Sequence, residues 1–156
     1  TGSTYRKLAD TAMYSNEWGI INPKEFIVED SAMGFIKFKN GASLVVEASW
    51  LLNMENGGNT TLCGTKGGIE MRGDTIRVNG ENGGSLFTQD IRPNSTARDL
   101  FKGENLSAEQ YEAKQWIYSV INDLPPLTKP EEACVVSDII EGIYKSAESG
   151  KTIYFD

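Results

Sequence analysis

Tyr5-Arg6-Lys7 is a dense polar cluster at the end of an extended segment, and a phenol beside two cations suits the hydroxyls of a sugar or an anion. An exposed strand end explains the same three residues equally well. Trp50 and Asn53 stand where a long central strand leaves its sheet, a place where ligands are often met. The competing reading puts Trp50 in the core. Glu29-Asp30 and Glu131-Glu132 are adjacent acids. Sequence neighbours rarely converge on one substrate, and the second pair falls in the first turn of a helix, where carboxylates offset the helix dipole. The glycine pairs at 57–58, 67–68 and 83–84 match neither GxGxxG nor GxxxxGK[ST], and each falls where a β-turn is needed. None of these groups amounts to a self-sufficient active site.

The residue that is missing says more. The 156 residues contain no histidine, which removes His-based acid/base catalysis, Ser/His and Cys/His nucleophile pairs, and most zinc sites. No metal site is expected. Two cysteines, Cys63 and Cys134, fit a reduced cytoplasmic protein and are expected to be buried thiols. The formal charge of −7 argues against nucleic acid or an anionic membrane as partner. No apolar run has membrane-spanning length and no secretory signature opens the chain. One domain of this length can bury a core of its own.

The elements that must position any site are organised around residues 35–52, FIKFKNGASLVVEASWLL. Asn40-Gly41 between two β-prone runs is a hairpin signal. A two-residue loop would mix Lys37 with the apolar face. A three-residue loop with Gly41 left-handed instead pairs Phe38 with Ala42 and Ile36 with Leu44. That register puts Ile36, Phe38, Ala42, Leu44, Val46, Ala48 and Trp50 on one face, and is the expected one. The other face carries Phe35, Lys37, Val45 and Glu47, too apolar for full solvation and too polar for a sealed core.

Before the hairpin, residues 1–7 read as a strand, 8–23 as irregular chain and 26–29 as an extended lead-in. After it, short strands are expected at 60–64, 69–72, 75–79 and 85–91, with turns at 65–68 and 80–84 and loops at 53–59 and 92–104. Ser107 to Gln110 has capping-box form ahead of a helix whose apolar residues run to Leu124, and Pro125-Pro126 stops it. Thr128 to Glu131 is a second capping box. The helix that follows has an apolar stripe of Ala133, Val136, Ile140, Ile143 and Ala147, with Ile139 beside it, and Gly150 ends it. Residues 151–155 read as a last strand. The fold class is α+β: a largely antiparallel open sheet with helices packed on one face, the last helix covering the face from Ile36 to Trp50.

Three segments carry a family resemblance: GFIKFKNGASLVVEASW, TTLCGTKGGIEM and LTKPEEACVVSDIIEGIYKSAESGKTIYF. They resemble the C-terminal domain of the glucose–fructose oxidoreductase/inositol dehydrogenase (Gfo/Idh/MocA) family, from the first strand to the end of the chain. The resemblance implies an N-terminal Rossmann domain that binds NAD or NADP, joined to an α+β domain that borders the substrate and forms subunit contacts. It implies oxidation or reduction of sugars, inositols and related polyols.

The family's glycine fingerprint, its Glu-Lys-Pro segment with the catalytic lysine, and its Asp- and His-bearing helix are missing from these residues. The expectation is therefore the back half of an enzyme: residues 1–156 as a substrate-side and oligomerisation domain, inactive alone, with neither catalytic nor cofactor-binding residues. The missing Rossmann domain is its expected partner. Tyr5, Arg6 and Lys7 follow the segment that would carry the family's histidine, so the resemblance turns them toward substrate; Trp50 and Asn53 are the other expected substrate-facing residues. Phe35, Lys37, Val45 and Glu47 are the expected interface of a homodimer, the alternative being a monomer in which residues 8–23 fold over the same face. The alternative is a free-standing, non-catalytic module whose sheet serves self-association.

Overall fold

A computed structural model describes residues 1–7, 14–16, 19–50, 58–73, 75–92, 104 and 106–155. The chain forms two compact units, residues 1–53 with 115–156, and residues 54–114. Both are built on antiparallel pairing, and with the two helices they make an α+β protein. The sheet is divided: among the described residues a three-stranded sheet serves the first unit and a four-stranded sheet the second.

In the first unit β1 (Gly2–Tyr5), β4 (Ser31–Lys37) and β5 (Ser43–Ser49) lie in the order β1-β4-β5. The β4–β5 hairpin has the expected register, with Ile36 opposite Leu44 and Phe35 opposite Val45. The Phe38 N–H donates to the Ala42 carbonyl at 2.9 Å and the Gly41 N–H to the Phe38 carbonyl at 3.0 Å. Gly41 has φ +91°, and Asn40 Oδ1 accepts from the Ala42 N–H at 3.0 Å. Asparagine closes the loop through its side chain, and glycine supplies the backbone angle that other residues resist.

The last helix, α2 (Pro130–Ser149), packs against β1 and β4. Its face is set by two glycines. Gly2 and Gly34 are directly paired across the strands, and a Cβ on either would come within 2.7 Å of Ile143. Ile143 is 8% exposed, whereas Ile140 is 49% exposed. The buried stripe is Gly142, Ile143 and Ser146, flanked by half-buried Ile139 and Ala147. The expected stripe was rotated from this by about one residue. Periodicity marked where apolar side chains recur, but the glycines mark where a helix can approach closely. The helix covers the β1–β4 side of the face, and Trp50 at the far end of β5 is 75% exposed, which overturns its core reading.

Both ends of α2 are closed by polar groups. Glu132 Oε2 accepts from the Lys129 N–H at 3.2 Å, so the cap lies at Lys129 and not at Thr128. Gly150, at φ +66°, donates to the Ser146 carbonyl at 2.8 Å. Buried Ser146 Oγ accepts from the Gly2 N–H at 2.9 Å and donates to the Lys151 carbonyl at 2.6 Å. Residues 151–155 form no ladder, and the Phe155 ring lies against Gly142. The expected final strand is a tail strapped to the helix.

Three further pieces depart from or refine expectation. The stretch expected to be irregular contains a hairpin, β2 (Tyr14–Asn16) against β3 (Gly19–Ile21), followed by a 3₁₀ turn at Pro23–Glu25 that the Asn22 side chain caps. The first helix, α1 (Ala108–Ile121), has the expected box: the Ser107 N–H donates to Gln110 Oε1 at 3.0 Å and the Gln110 N–H to Ser107 Oγ at 3.3 Å. It ends before the prolines, through Asp123 at φ +53°.

The second unit is a meander of β6 (Thr60–Gly64), β7 (Gly67–Arg72), β8 (Thr75–Asn82) and β9 (Ser85–Ile91). Alternation places Leu62, Ile69, Met71, Val78 and Phe87 on one face, and Glu70, Arg77 and Asp90 on the other. Arg77 and Asp90 form a two-pronged ion pair at 2.7 and 3.0 Å. The turn expected at 80–84 is only Gly83-Gly84. Gly80 belongs to β8, where the Phe87 ring from β9 fills the place of its missing side chain. Both cysteines are exposed free thiols, contrary to expectation.

The packing of α2 gives a stability test. Ile143→Ala is expected to cost about 2–5 kcal/mol through lost burial and a cavity, and Gly34→Ala about 1–3 kcal/mol through overpacking. Ile140→Ala should cost less than about 1.5 kcal/mol, and Lys145→Ala about 0.5 kcal/mol or less. Urea unfolding of the four variants measures the order; an Ile140→Ala loss equal to that of Ile143→Ala would show that the helix face is turned.

Candidate functional site at the end of the three-stranded sheet

The C-terminal ends of β1 and β5 and the start of β4 lie together, with Tyr5 opposite Ser31 and Ser31 opposite Ser49. Asp30 closes this end. Its N–H donates to the Tyr5 carbonyl at 2.9 Å, and its carbonyl accepts from the Trp50 N–H at 2.9 Å and from Ser49 Oγ at 3.0 Å. Its carboxylate accepts from the Lys7 N–H. At 6% exposure its side chain is buried, and the Lys7 N–H gives it the hydrogen-bond partner that such burial requires.

Beside Asp30 lies an open groove of about 330 Å³ lined by Glu29, Asp30, Ser31, Ala32, Ala48, Ser49 and Trp50. Ala32 and Ala48 are paired and share the sheet face on which α2 packs against Gly34. Their small side chains leave the space that a larger pair would fill. Glu29 is oriented from the helix, because Tyr144 Oη donates to Glu29 Oε1. That bond, with some desolvation and the negative charge of Glu29, pushes the Tyr144 phenol above its ordinary range.

The expected substrate-facing residues do not all meet. Trp50 lines the groove. Tyr5 is exposed on the opposite face of the sheet, with Ser3, Met33 and Phe35. Arg6 and Lys7 follow it, both exposed, and the Lys7 backbone is tied to Asp30. Asn53 lies outside the described residues. The Glu29-Asp30 pair, discounted on sequence, does converge on one groove. The reversal comes from the pairing of Asp30 with Tyr5 and Trp50, which has no local signature. Tyr144 was equally invisible as a site residue, since its partner is 115 positions away. Phe35 and Val45, from the expected interface, are opposite each other and exposed, with Lys37 opposite Ser43 and Met33 opposite Glu47.

A larger hollow of about 700 Å³ lies on the second unit around Gly67, Gly68, Gly80 and Phe87. Thr65, Lys66, Asn79, Glu81 and Thr88 also line it, but none of them is buried, whereas the sheet-end groove holds the buried side chain of Asp30, so that groove is the stronger candidate. Among the described residues no cluster of three or more His, Cys, Asp or Glu could hold a metal. None of their helices is long and apolar enough to cross a membrane.

The family described as "Oxidoreductase family, C-terminal alpha/beta domain" (Gfo/Idh/MocA) matches residues 4–155. Among characterised relatives, D-glucoside 3-dehydrogenase of Escherichia coli (strain K12) is 28% identical over 139 residues. That match covers 88% of this chain and 36% of the relative, so the chain spans about a third of the length of the enzyme it matches.

The Tyr144–Glu29 bond sets a pH expectation. A raised phenol pKa means that the neutral form is favoured in the folded state, so the bond's contribution is complete below the ordinary tyrosine pKa and is lost as pH rises through the raised one. Glu29→Gln removes the charge that opposes phenolate formation. Difference absorbance titrations of Tyr144→Phe against its parent, in the Glu29 and Glu29→Gln backgrounds, should show Tyr144 ionising at lower pH once the carboxylate is gone. Ionisation at the same pH in both would show that the two side chains do not interact.

Proposed function

Because this chain belongs to the Gfo/Idh/MocA oxidoreductase family, as its C-terminal domain, we propose that it is the substrate-side domain of an NAD(P)-dependent enzyme acting on a sugar, inositol or related polyol. The observation that carries this reading is the family match over residues 4–155. The glucoside dehydrogenase among its relatives favours sugars within that range. The domain's part in the reaction is to bind and orient a hydroxylated ring, and the sheet-end groove, lined by Trp50, Glu29 and Asp30, is the surface we assign to it.

The nicotinamide, when bound, would accept or supply the hydride. All strand pairing among the described residues is antiparallel, and none of it forms the βαβ unit whose helix N-terminus holds a dinucleotide pyrophosphate. We therefore assign the cofactor to a Rossmann partner domain. Calorimetric titration of this chain with NAD and NADP should give no micromolar binding. The longer protein encoded by the gene should reduce one of them when supplied with a suitable member of a sugar, inositol and polyol panel. Lack of turnover on every member would sink the proposed reaction.

The open face of the three-stranded sheet is the proposed subunit contact, with Phe35 near its centre beside Val45, Lys37 and Glu47. Exposed Phe35 and Val45 support it, because apolar side chains gathered on a strand face favour a self-complementary partner. Sedimentation should show a dimer for the unaltered chain and a folded monomer for Phe35→Lys, since an unpaired ammonium is costly to bury and cheap to expose. A monomer at high concentration for the unaltered chain would rule the contact out.

A further inference from the structure

We propose that Asn82-Gly83, at the tip of the β8–β9 hairpin, is a site of spontaneous backbone modification, in which a succinimide forms and opens to isoaspartate. The chemistry needs only the chain and water. The Gly83 nitrogen attacks the Asn82 side-chain carbonyl carbon and forms a C–N bond. The bond from that carbon to the amide nitrogen breaks, and ammonia leaves with the proton that Gly83 gives up. Water then cleaves one of the two C–N bonds of the ring. Cleavage at the side-chain carbonyl leaves aspartate; cleavage at the main-chain carbonyl leaves isoaspartate, with an extra methylene in the backbone. Glycine in the following position favours the attack, because no β-carbon shields the nucleophile.

Asn-Gly occurs four times, at 40–41, 56–57, 79–80 and 82–83, and the local sequence does not choose among them. The fold does. Asn56-Gly57 lies outside the described residues. Asn79 is half-buried, with its Nδ2 donating to Glu70 Oε1 at 3.1 Å and its Oδ1 accepting from Thr88 Oγ1 at 2.8 Å. Gly80 is paired with Gly67 on one side and Phe87 on the other, so the ladder holds the nucleophile and the side-chain bonds hold the carboxamide. At the β4–β5 loop the Gly41 N–H is committed to the Phe38 carbonyl at 3.0 Å, and Asn40 Oδ1 to the Ala42 N–H at 3.0 Å.

Asn82-Gly83 escapes both restraints. Both residues are exposed, and among the described residues nothing bonds the Asn82 carboxamide or accepts from the Gly83 N–H. Glu81 takes the Gly84 N–H instead, one residue beyond the nucleophile. Asn82 pairs with Ser85 as the last rung of the ladder, where opening costs least. The product carries a new carboxylate beside Glu81 and a longer backbone at a two-residue turn, so this last rung is what the modification loosens.

The test holds the chain folded in mildly alkaline buffer and, in parallel, unfolded in guanidinium chloride. Peptide fragmentation by mass spectrometry assigns amide-to-acid conversion to each asparagine over time. In the folded chain Asn82 should convert about 10-fold faster than Asn40, the ratio expected when hydrogen bonds must break before reaction, and Asn79 should be slowest. In guanidinium the three rates should draw together. Peptides carrying converted Asn82 should also accept methyl groups from S-adenosylmethionine through an isoaspartyl carboxyl methyltransferase. Equal rates at Asn40 and Asn82 in the folded chain, a spread of rates that persists on unfolding, or conversion of Asn82 to aspartate alone would each overturn the proposal.

Discussion

Gly2 and Gly34 face each other across β1 and β4, and Ile143 of α2 occupies the space their side chains would take. This close approach is the constraint on which the rest of the first unit depends. A helix resting on β-carbons stands off from a sheet; over two paired glycines it can sink in, and one isoleucine then seals the contact. The descent also brings Ser146 within reach of the Gly2 N–H and the Lys151 carbonyl, so a buried hydroxyl has both a donor and an acceptor for partners. The tail is pinned by the same means, with the Phe155 ring against Gly142 on the helix. Glycine here buries helix and strand at close range, a use quite separate from the turn at Gly41.

The candidate site follows from that docking. With α2 seated over Gly34, Tyr144 reaches Glu29 at the start of β4. The next pair along the same sheet face is Ala32 and Ala48, too small to close the gap, and the space beside them becomes the groove. Asp30 then turns the ends of three strands into one rigid rim through its N–H, carbonyl and carboxylate. Placement of the Trp50 backbone is therefore a property of this pairing.

The two units divide their work by composition. The three-stranded sheet carries the groove and the helix. The four-stranded sheet pairs Arg77 with Asp90 on one face, which also carries exposed Leu86, and gathers Leu62, Ile69 and Val78 on the other. Such a sheet is specified by its own sequence period. A slip of one residue between β8 and β9 would turn the slipped strand's apolar side chains to the other face and break the ion pair together.

Local chemistry determined much of this protein from the sequence alone. The Asn40-Gly41 loop, the β4–β5 register, the Ser107–Gln110 box and the Gly150 cap each depend on residues a few positions apart, so their signals survive in a linear reading. The absence of histidine and the three segments that carry the resemblance were equally legible, and with them the family. Only the tertiary structure decided which side of α2 is buried, that Gly80 lies under Phe87 within a strand, and that the tail straps the helix instead of pairing. It also placed Tyr5 and Trp50 on different faces and brought Glu29, Asp30 and Tyr144 to one rim. The physical reason is the same in each case. A missing side chain leaves no periodic signal, and its meaning comes from the distant residue that fills the space.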